Sequence, residues 1–183
     1  FMGSGTTLVE AKLLNRNAIG VDINPQSVSI SETNLQFQCE TKSKIHTRCA
    51  NATDLSFIKD SHIDFICTHP PYANIIKYSK NVDGDISLLT VEEFLKEMTV
   101  VAQEAYRVLR KGKACAVMIG DMRRYGKVVP LGFWVMECFL SVGFVSKEII
   151  IKEQHNCRST DYWEKQNNNF LLLAHEYIFV FQK

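Results

Sequence analysis

The 183 residues of this chain suffice for one domain with its own hydrophobic core, since 46% of them are hydrophobic. The net charge of +1 excludes a basic field over the whole protein, so any nucleic-acid-binding surface must be local. The sequence has no signal-peptide pattern and no apolar stretch long enough to cross a bilayer, which predicts a cytoplasmic protein without a membrane partner.

The six cysteines include no CxxC pair, and three of them lie in apolar, strand-like runs. Such spacing favours buried free thiols in an intracellular protein over a zinc site. We therefore expect no metal ion to take part in the function.

Helical and strand patterns alternate along the chain. Gly3 and Gly5 form a tight turn ahead of the first helix, and Thr90 with Glu93 forms a capping box ahead of the longest one, which Gly112 is expected to end. The predicted elements are a helix over 7–14, a strand over 18–23, a helix from 24 to about 37, strands over 44–49 and 63–68, a helix over 90–109, a strand over 114–119, a helix over 130–142, and strands over 144–151 and 170–182.

This alternation predicts an α/β fold with a mostly parallel sheet, because each crossover helix returns the chain in the same direction. The last two strands have no helix between them, so they should pair antiparallel at one edge of the sheet. Ligands of such sheets bind beyond the carboxyl ends of the strands. The polar candidates described next all lie just after predicted strands, so we expect them to meet at one site.

The glycine turn and two acids are the first candidates for that site. Gly3 and Gly5 allow a ligand close to the backbone, with a helix N-terminus behind them. A dinucleotide fingerprint would place a third glycine where Leu8 stands, which disfavours a nicotinamide cofactor. Asp22 can bind ribose hydroxyls or cap the next helix, and Asp54 can accept from an adenine amino group or serve its own turn.

His69-Pro70-Pro71-Tyr72 follows the strand over 63–68, which we expect to be buried. The two prolines fix an extended, donor-poor bend that can aim carbonyl oxygens at a ligand. Tyr72 adds a flat apolar face. The tetrapeptide suits a planar base with an exocyclic amino group, although a simple turn with a packed tyrosine has the same composition.

Taken in order, the run Phe1-x-Gly3-x-Gly5-Thr6-Thr7, the acid after the next strand, and the Pro-Pro-Tyr loop resemble S-adenosylmethionine-dependent amino-methyltransferases. The similarity is closest to DNA methyltransferases that modify N6 of adenine or N4 of cytosine, and residues 174–183 resemble the last strand of that family. This implies a Rossmann-like methyltransferase fold, with residues 1–183 as one catalytic domain. It also implies S-adenosylmethionine as the cofactor and DNA as a partner.

The resemblance assigns roles to individual residues. The expected cofactor-binding residues are Phe1, Gly3, Gly5, Thr6, Asp22, Ile23 and Asp54. The expected catalytic residues are His69, Pro70, Pro71 and Tyr72. A flipped-out base would give its amino hydrogens to the His69 side chain and the Pro70 carbonyl, while Tyr72 stacks on it.

The family usually has aspartate, asparagine or serine where His69 stands. A neutral imidazole accepts a hydrogen bond and imidazolium does not, so activity should be sensitive to mild acid. The target base, adenine or cytosine, stays open.

Two other functions also stay open. Methyltransferases acting on guanine N2 of transfer RNA have a similar glycine loop and Pro-Pro-Tyr order, and a methyltransferase-like fold can serve as a scaffold without catalysis. The nucleic acid that accepts a labelled methyl group would distinguish these functions.

Basic residues after the strand over 114–119 should lie at the rim of the site. Arg123, Arg124 and Lys127 are the expected nucleic-acid contacts, made to phosphates, unless they belong to a solvated loop. The polar stretch 155–169 suits either a DNA contact or a linker; its candidate contacts are Arg158, Tyr162, Trp163 and Lys165.

The chain opens inside a motif, which suggests a fragment of a longer protein. In the fold that it resembles, a central strand leads into the glycine turn, and nothing before Phe1 encodes that strand. We therefore expect an upstream segment or a second chain to complete the sheet and to supply sequence recognition.

Overall fold

The computed structural model describes residues 1–74, 82–154 and 171–183. Its helices and strands alternate as the sequence predicts, with a short 3₁₀ turn over Ile86–Leu88. In chain order they are α1 (Thr6–Leu13), β1 (Ala18–Asp22), α2 (Pro25–Asn34), β2 (Ile45–Cys49), β3 (Ile63–Thr68), α3 (Val91–Val108), β4 (Leu109–Ile119), β5 (Met122–Arg124), β6 (Lys127–Val129), α4 (Leu131–Ser141), β7 (Val145–Glu153) and β8 (His175–Gln182).

The predicted capping box starts α3. The Thr90 side chain accepts from the Glu93 backbone, and the Glu93 carboxylate accepts from the Thr90 backbone. The helix ends at Val108, one residue before the predicted end, but the expectation that Gly112 ends it was wrong, because β4 begins at Leu109. Gly112 instead has φ +76° within β4, where the register with β3 shifts. A glycine adopts the left-handed backbone of such a bulge without steric cost.

The strands form a four-stranded sheet in the order β3-β4-β8-β7 and a separate parallel pair, β1-β2. Strand β3 runs parallel to β4, whereas β8 pairs antiparallel with both β4 and β7. This confirms the predicted antiparallel pairing of the last two strands. The carboxyl ends of β3 and β4 therefore lie at the same edge of the sheet.

The sheet is interrupted between β1 and β3: within the described ranges, no ladder joins these two strands. Strand β1 pairs with β2 along one edge. The backbone nitrogens of Phe1 and Met2 lie 2.7 and 3.0 Å from the Val21 carbonyl oxygen at the end of β1. The sequence was not expected to encode a central strand at this place, and among the described residues no strand lies between β1 and β3.

The main core lies where α3 and α4 pack together against β4 and β8. Phe139 of α4 stacks on Phe181 of β8, with ring centroids 5.0 Å apart. Strand β3 was predicted to be buried, but it is only partly buried, because Phe65 is 58% exposed. Among the described residues β3 pairs with β4 and with no other strand, which leaves part of β3 open to solvent.

The five cysteines within the described residues are all free, as expected, although Cys49 and Cys67 are exposed rather than buried. No helix in the described part of the chain is both long and apolar enough to span a membrane.

The structure also contains a hairpin that the sequence analysis did not predict. Strands β5 and β6 pair antiparallel around Tyr125 and Gly126, which have φ values of +50° and +75°. Two consecutive positive φ values are typical of the tight turn that matches the twist of a hairpin. The hairpin starts three residues after β4 ends, so it stands at the carboxyl edge of the sheet.

Candidate active site

A cavity of about 320 Å³ opens at the carboxyl ends of β1, β2 and β3. The segments that follow these strands line it, together with residues 1–4 and 84–86. Of the residues predicted for the site, the cavity is lined by Phe1, Gly3, Asp22, Ile23, His69, Pro70 and Pro71. The fold thus brings the glycine turn, the acid of β1 and the proline loop to one place, at the edge where α/β sheets bind ligands.

Asp22 connects the glycine turn to the start of α2. One carboxylate oxygen accepts from the Gly3 backbone N–H at 2.9 Å, and the other accepts from the Asn24 backbone N–H at 3.0 Å. Asn24, not Asp22, caps α2, since its side chain accepts from the Gln26 backbone N–H. The Asp22 carboxylate also lines the cavity, and its contact with ribose hydroxyls stays a prediction.

Gly5 and Thr6 are not among the residues that line the cavity. Gly5 has φ +80°, and a Cβ placed there would lie 2.6 Å from Oγ of Ser31. The same Ser31 hydroxyl donates to the Gly3 carbonyl at 2.9 Å. Gly5 therefore allows the turn to pack closely on α2, which fixes the turn whose residues Gly3 and Ser4 line the cavity.

Asp54 also lies outside the cavity lining, where its loop instead places Ala50, Asn51 and Ala52. Its carboxylate accepts from the Ser56 backbone N–H at 2.9 Å, and this hydrogen bond lowers the pKa of Asp54. The carboxylate serves its own turn in this structure, so its predicted contact with an adenine amino group stays a prediction.

Residues 84–86 form a wall of the cavity that the sequence analysis missed. Gly84 has φ +79°, and a Cβ there would lie 3.1 Å from side-chain atoms of Asn51 and Ile23. The buried Asp85 carboxylate accepts from the Ser87 N–H at 2.9 Å. The Asp83-Gly84-Asp85 turn is visible in the sequence, but only the fold brings it to the site.

Burial of Pro70 and hydrogen bonds of Tyr72 hold the Pro-Pro-Tyr loop in place. Pro70 is fully buried. The Tyr72 hydroxyl accepts from the Gly120 N–H at 2.8 Å and donates to a carboxylate oxygen of Glu176 at 3.1 Å. Tyr72 is therefore fixed by its hydroxyl and is not itself among the residues that line the cavity. Its predicted stacking on a base remains a prediction.

Glu176 of β8 is a second site-related residue that the sequence analysis missed. It is buried, accepts from Lys152 at 2.7 Å, and lies 3.4 Å from Nε2 of His69. Burial lowers the pKa of the His69 imidazole, whereas Glu176 raises it and Lys152 lowers it. The net shift is downward, so the imidazole is neutral near neutral pH and can accept a hydrogen bond.

The predicted phosphate contacts lie on the hairpin formed by β5 and β6. Arg123 donates to the carbonyls of Gly126 and Leu171, whereas the guanidinium of Arg124 lies 5.5 Å from the ring centre of Tyr125. Tyr125 is 90% exposed at the tip, and Lys127 is also exposed. The other predicted contacts, in 155–169, lie outside the described residues.

A family model described as DNA methylase matches residues 1–33 and 63–183 of the chain. The match includes the glycine turn, Asp22, the Pro-Pro-Tyr loop and the last strand, but not Asp54. No curated protein matches the chain.

Several solved structures share the fold. A candidate DNA modification methylase from Thermus thermophilus, solved with S-adenosyl-L-methionine, is 24% identical with a TM-score of 0.54, and the match covers 73% of this chain and 53% of that one. The PvuII DNA methyltransferase, which is cytosine-N4-specific, is 17% identical with a TM-score of 0.59, over 73% and 47% of the two chains. A SAM-dependent methyltransferase from Methanosarcina mazei is 17% identical with a TM-score of 0.63, over 100% and 89%.

The chain spans about half the length of the two DNA methylase structures. The structural similarities confirm the predicted α/β, Rossmann-like methyltransferase fold. The family match extends over most of the chain and carries the ordered motifs from which the resemblance was inferred, so this chain belongs to the DNA methylase family.

Proposed function

We propose that this chain is the catalytic domain of an enzyme that methylates the exocyclic amino nitrogen of adenine or cytosine in DNA, with S-adenosylmethionine as the methyl donor. One observation supports this above all. Asp22 and the His69-Pro70-Pro71 segment meet at a single cavity, in a chain that belongs to the DNA methylase family. A strand from an upstream segment or a second chain would complete the sheet between β1 and β3.

The cavity suits the nucleoside part of S-adenosylmethionine. Asp22 offers a carboxylate that can accept from ribose hydroxyls. Phe1, Ile23, Ala52 and Ile86 add apolar walls for a flat base. Gly84 keeps this wall open, since a side chain there would crowd its neighbours. When bound, S-adenosylmethionine would supply a methyl group activated by a positively charged sulfur.

The residues after β3 would position the nitrogen that receives the methyl group. The lone pair of an exocyclic amine is delocalised into the base, so the nitrogen is a poor nucleophile. Acceptors at the His69 side chain and the Pro70 carbonyl would draw the two amino hydrogens out of the base plane and free the lone pair. Burial of Pro70 and the fixed hydroxyl of Tyr72 support the preorganisation that this requires.

The test is methyl transfer from S-adenosylmethionine carrying a labelled methyl group to duplex DNA, with transfer RNA and a reaction without nucleic acid in parallel. We expect label in DNA, recovered as N6-methyladenine or N4-methylcytosine after digestion to nucleosides. Label recovered as N2-methylguanine in transfer RNA, or cofactor binding without transfer to either nucleic acid, would contradict the proposal.

The hairpin should contribute to DNA binding through phosphate contacts. We expect Arg124→Ala and Lys127→Ala each to weaken binding similarly for all DNA sequences, and each to reduce the slope of log K against log salt by about 1. Arg110→Ala is the matched control, because Arg110 pairs with Asp64 at the opposite end of β4. Fluorescence anisotropy over a salt series measures both quantities, and an equal loss in the control would count against a phosphate-binding hairpin.

A further inference from the structure

Glu176 lies on β8 and contacts two side chains of the proline loop, His69 and Tyr72. Glu176 is 6% exposed. One oxygen accepts from the Tyr72 hydroxyl at 3.1 Å and lies 3.4 Å from His69 Nε2, while the other accepts from Lys152 at 2.7 Å. Glu176 and Lys152 are directly opposite each other on β8 and β7, so the sheet register fixes the carboxylate in this position.

Glu176 is ionised at neutral pH. Burial opposes ionisation, but hydrogen bonds from Lys152 and Tyr72 outweigh it and lower the pKa of this carboxyl. The Lys152 side chain is 45% exposed, and an ion pair with one solvent-screened partner contributes little net stability. The contacts of Glu176 with His69 and Tyr72 therefore suggest a role beyond holding β7 and β8 together.

We propose that Glu176 is a positioning residue for methyl transfer: it holds His69 as the tautomer with its proton on Nε2, which leaves Nδ1 as the acceptor for the target amine. This deepens the proposed function and rests on it. An ionised carboxylate can only accept hydrogen bonds, so the ring nitrogen that faces it must carry the proton. The distance of 3.4 Å is long for a hydrogen bond, and such contacts commonly shorten when substrate binds.

The same pair accounts for the proton that the reaction releases. As the amino nitrogen forms its bond to the methyl carbon, the electron pair of the broken carbon–sulfur bond stays on sulfur and the nitrogen becomes positively charged. One N–H proton then passes to Nδ1 of His69. The carboxylate of Glu176 stabilises the imidazolium until the proton leaves to water, which reaches the ring because the His69 side chain is 41% exposed.

The charges around His69 predict opposite effects of two substitutions. Glu176 on β8, Lys152 on β7 and the phenol of Tyr72 lie around the imidazole, and Asp22 and Asp85 line the same cavity. Because the carboxylate raises the pKa of His69, Glu176→Gln should lower it. Because the ammonium lowers it, Lys152→Met should raise it.

Nuclear magnetic resonance of protein labelled with ¹⁵N-histidine reads the tautomer and the pKa without any methyl transfer. His69→Asn identifies the signals of His69. We expect the Nε2–H form in the unaltered protein and a mixture of both tautomers in Glu176→Gln. Glu148→Gln is the matched control, since it makes the same chemical change at an exposed position of β7.

Kinetics provide the second measurement. Glu176→Gln should reduce kcat by roughly tenfold to a hundredfold, as expected for a lost charge-assisted hydrogen bond, while the Kd for cofactor stays the same. Its rate should fall at a lower pH than that of the unaltered enzyme, and the rate of Lys152→Met at a higher pH. Glu176→Asp keeps the charge and should recover part of kcat.

A predominant Nδ1–H tautomer in the unaltered protein would overturn this proposal. So would an unchanged tautomer in Glu176→Gln, or acid limits that shift in the same direction in both variants. If the Nε2–H form is present and depends on Glu176 but no nucleic acid accepts a methyl group, the positioning of His69 is supported and the proposed function fails.

Discussion

Asp22→Ala is expected to remove most of the S-adenosylmethionine affinity, a larger effect than loss of the ribose contact alone. The charge-assisted hydrogen bonds to ribose would be worth about 1–3 kcal/mol. The carboxylate also accepts from the backbone N–H groups of Gly3 and Asn24, and each of these lost hydrogen bonds costs about 0.5–1.5 kcal/mol more. The glycine turn that must approach the ligand would loosen at the same time.

Isothermal titration calorimetry measures the cofactor affinity. A second substitution at Asp22 separates the ribose contact from the support of the glycine turn. Asp22→Asn keeps one acceptor oxygen, so it should lose ribose affinity while preserving more of the turn. Asp64→Ala is the control, because it removes an exposed carboxylate near the start of β3, at the opposite edge of the sheet. Unchanged cofactor affinity in Asp22→Ala, or binding of NAD without S-adenosylmethionine, would refute the assigned role of Asp22.

Asp54→Ala tests the prediction that Asp54 accepts a hydrogen bond from the adenine amino group of the cofactor. If the Asp54 carboxylate only serves its own turn, cofactor affinity should be nearly unchanged, since Asn51 and Ala52 are the loop residues that line the cavity. A loss of affinity similar to that of Asp22→Ala would show that Asp54 reaches the adenine when cofactor binds.

The sequence revealed those parts of the site whose signals are local. Asn24 and Pro25 begin α2 as predicted, which places Asp22 at the end of a short strand. The two prolines end β3 at Thr68 as predicted, which places His69 directly after the end of that strand. Since parallel strands end at a common edge, these positions alone were enough to predict one site.

Contacts between distant segments were not predictable from local patterns. Tyr72 and Glu176 are separated by 104 residues, and they meet because β8 lies between β4 and β7. The need for glycine at position 5 comes from the close approach of the Ser31 side chain, which exists only once α2 packs on the turn. The hairpin of β5 and β6 has strands of three residues each, too short to give a clear alternation of polar and apolar residues.

A strand placed between β1 and β3 is expected to stabilise this protein more than any single substitution. The facing edges of β1 and β3 have no ladder to each other among the described residues. Each hydrogen bond that a new strand makes to them contributes about 0.5–1.5 kcal/mol, and a strand that pairs on both sides makes several. Phe1 and Met2 already bond to the end of β1, so a strand leading into them would need no new turn.

Hydrogen exchange tests this for the chain alone, for the chain extended ahead of Phe1 by a strand-forming segment, and for the chain extended by a glycine–serine segment of equal length. Only the strand-forming extension should slow amide exchange in β1 and β3 and raise the free energy of unfolding. Equal protection in all three proteins would show that the two parts of the sheet are stable without a strand between them.

The interruption also bears on catalysis, because it passes through the site. Asp22 ends β1 in one part of the sheet, whereas His69 follows β3 in the other, and both line the same cavity. A strand paired to β1 and β3 would fix the separation between the proposed cofactor carboxylate and the proposed amine acceptor. Methyl transfer depends on such alignment of the reacting groups. The strand-forming extension should therefore raise kcat as well as stability, and the glycine–serine extension should raise neither.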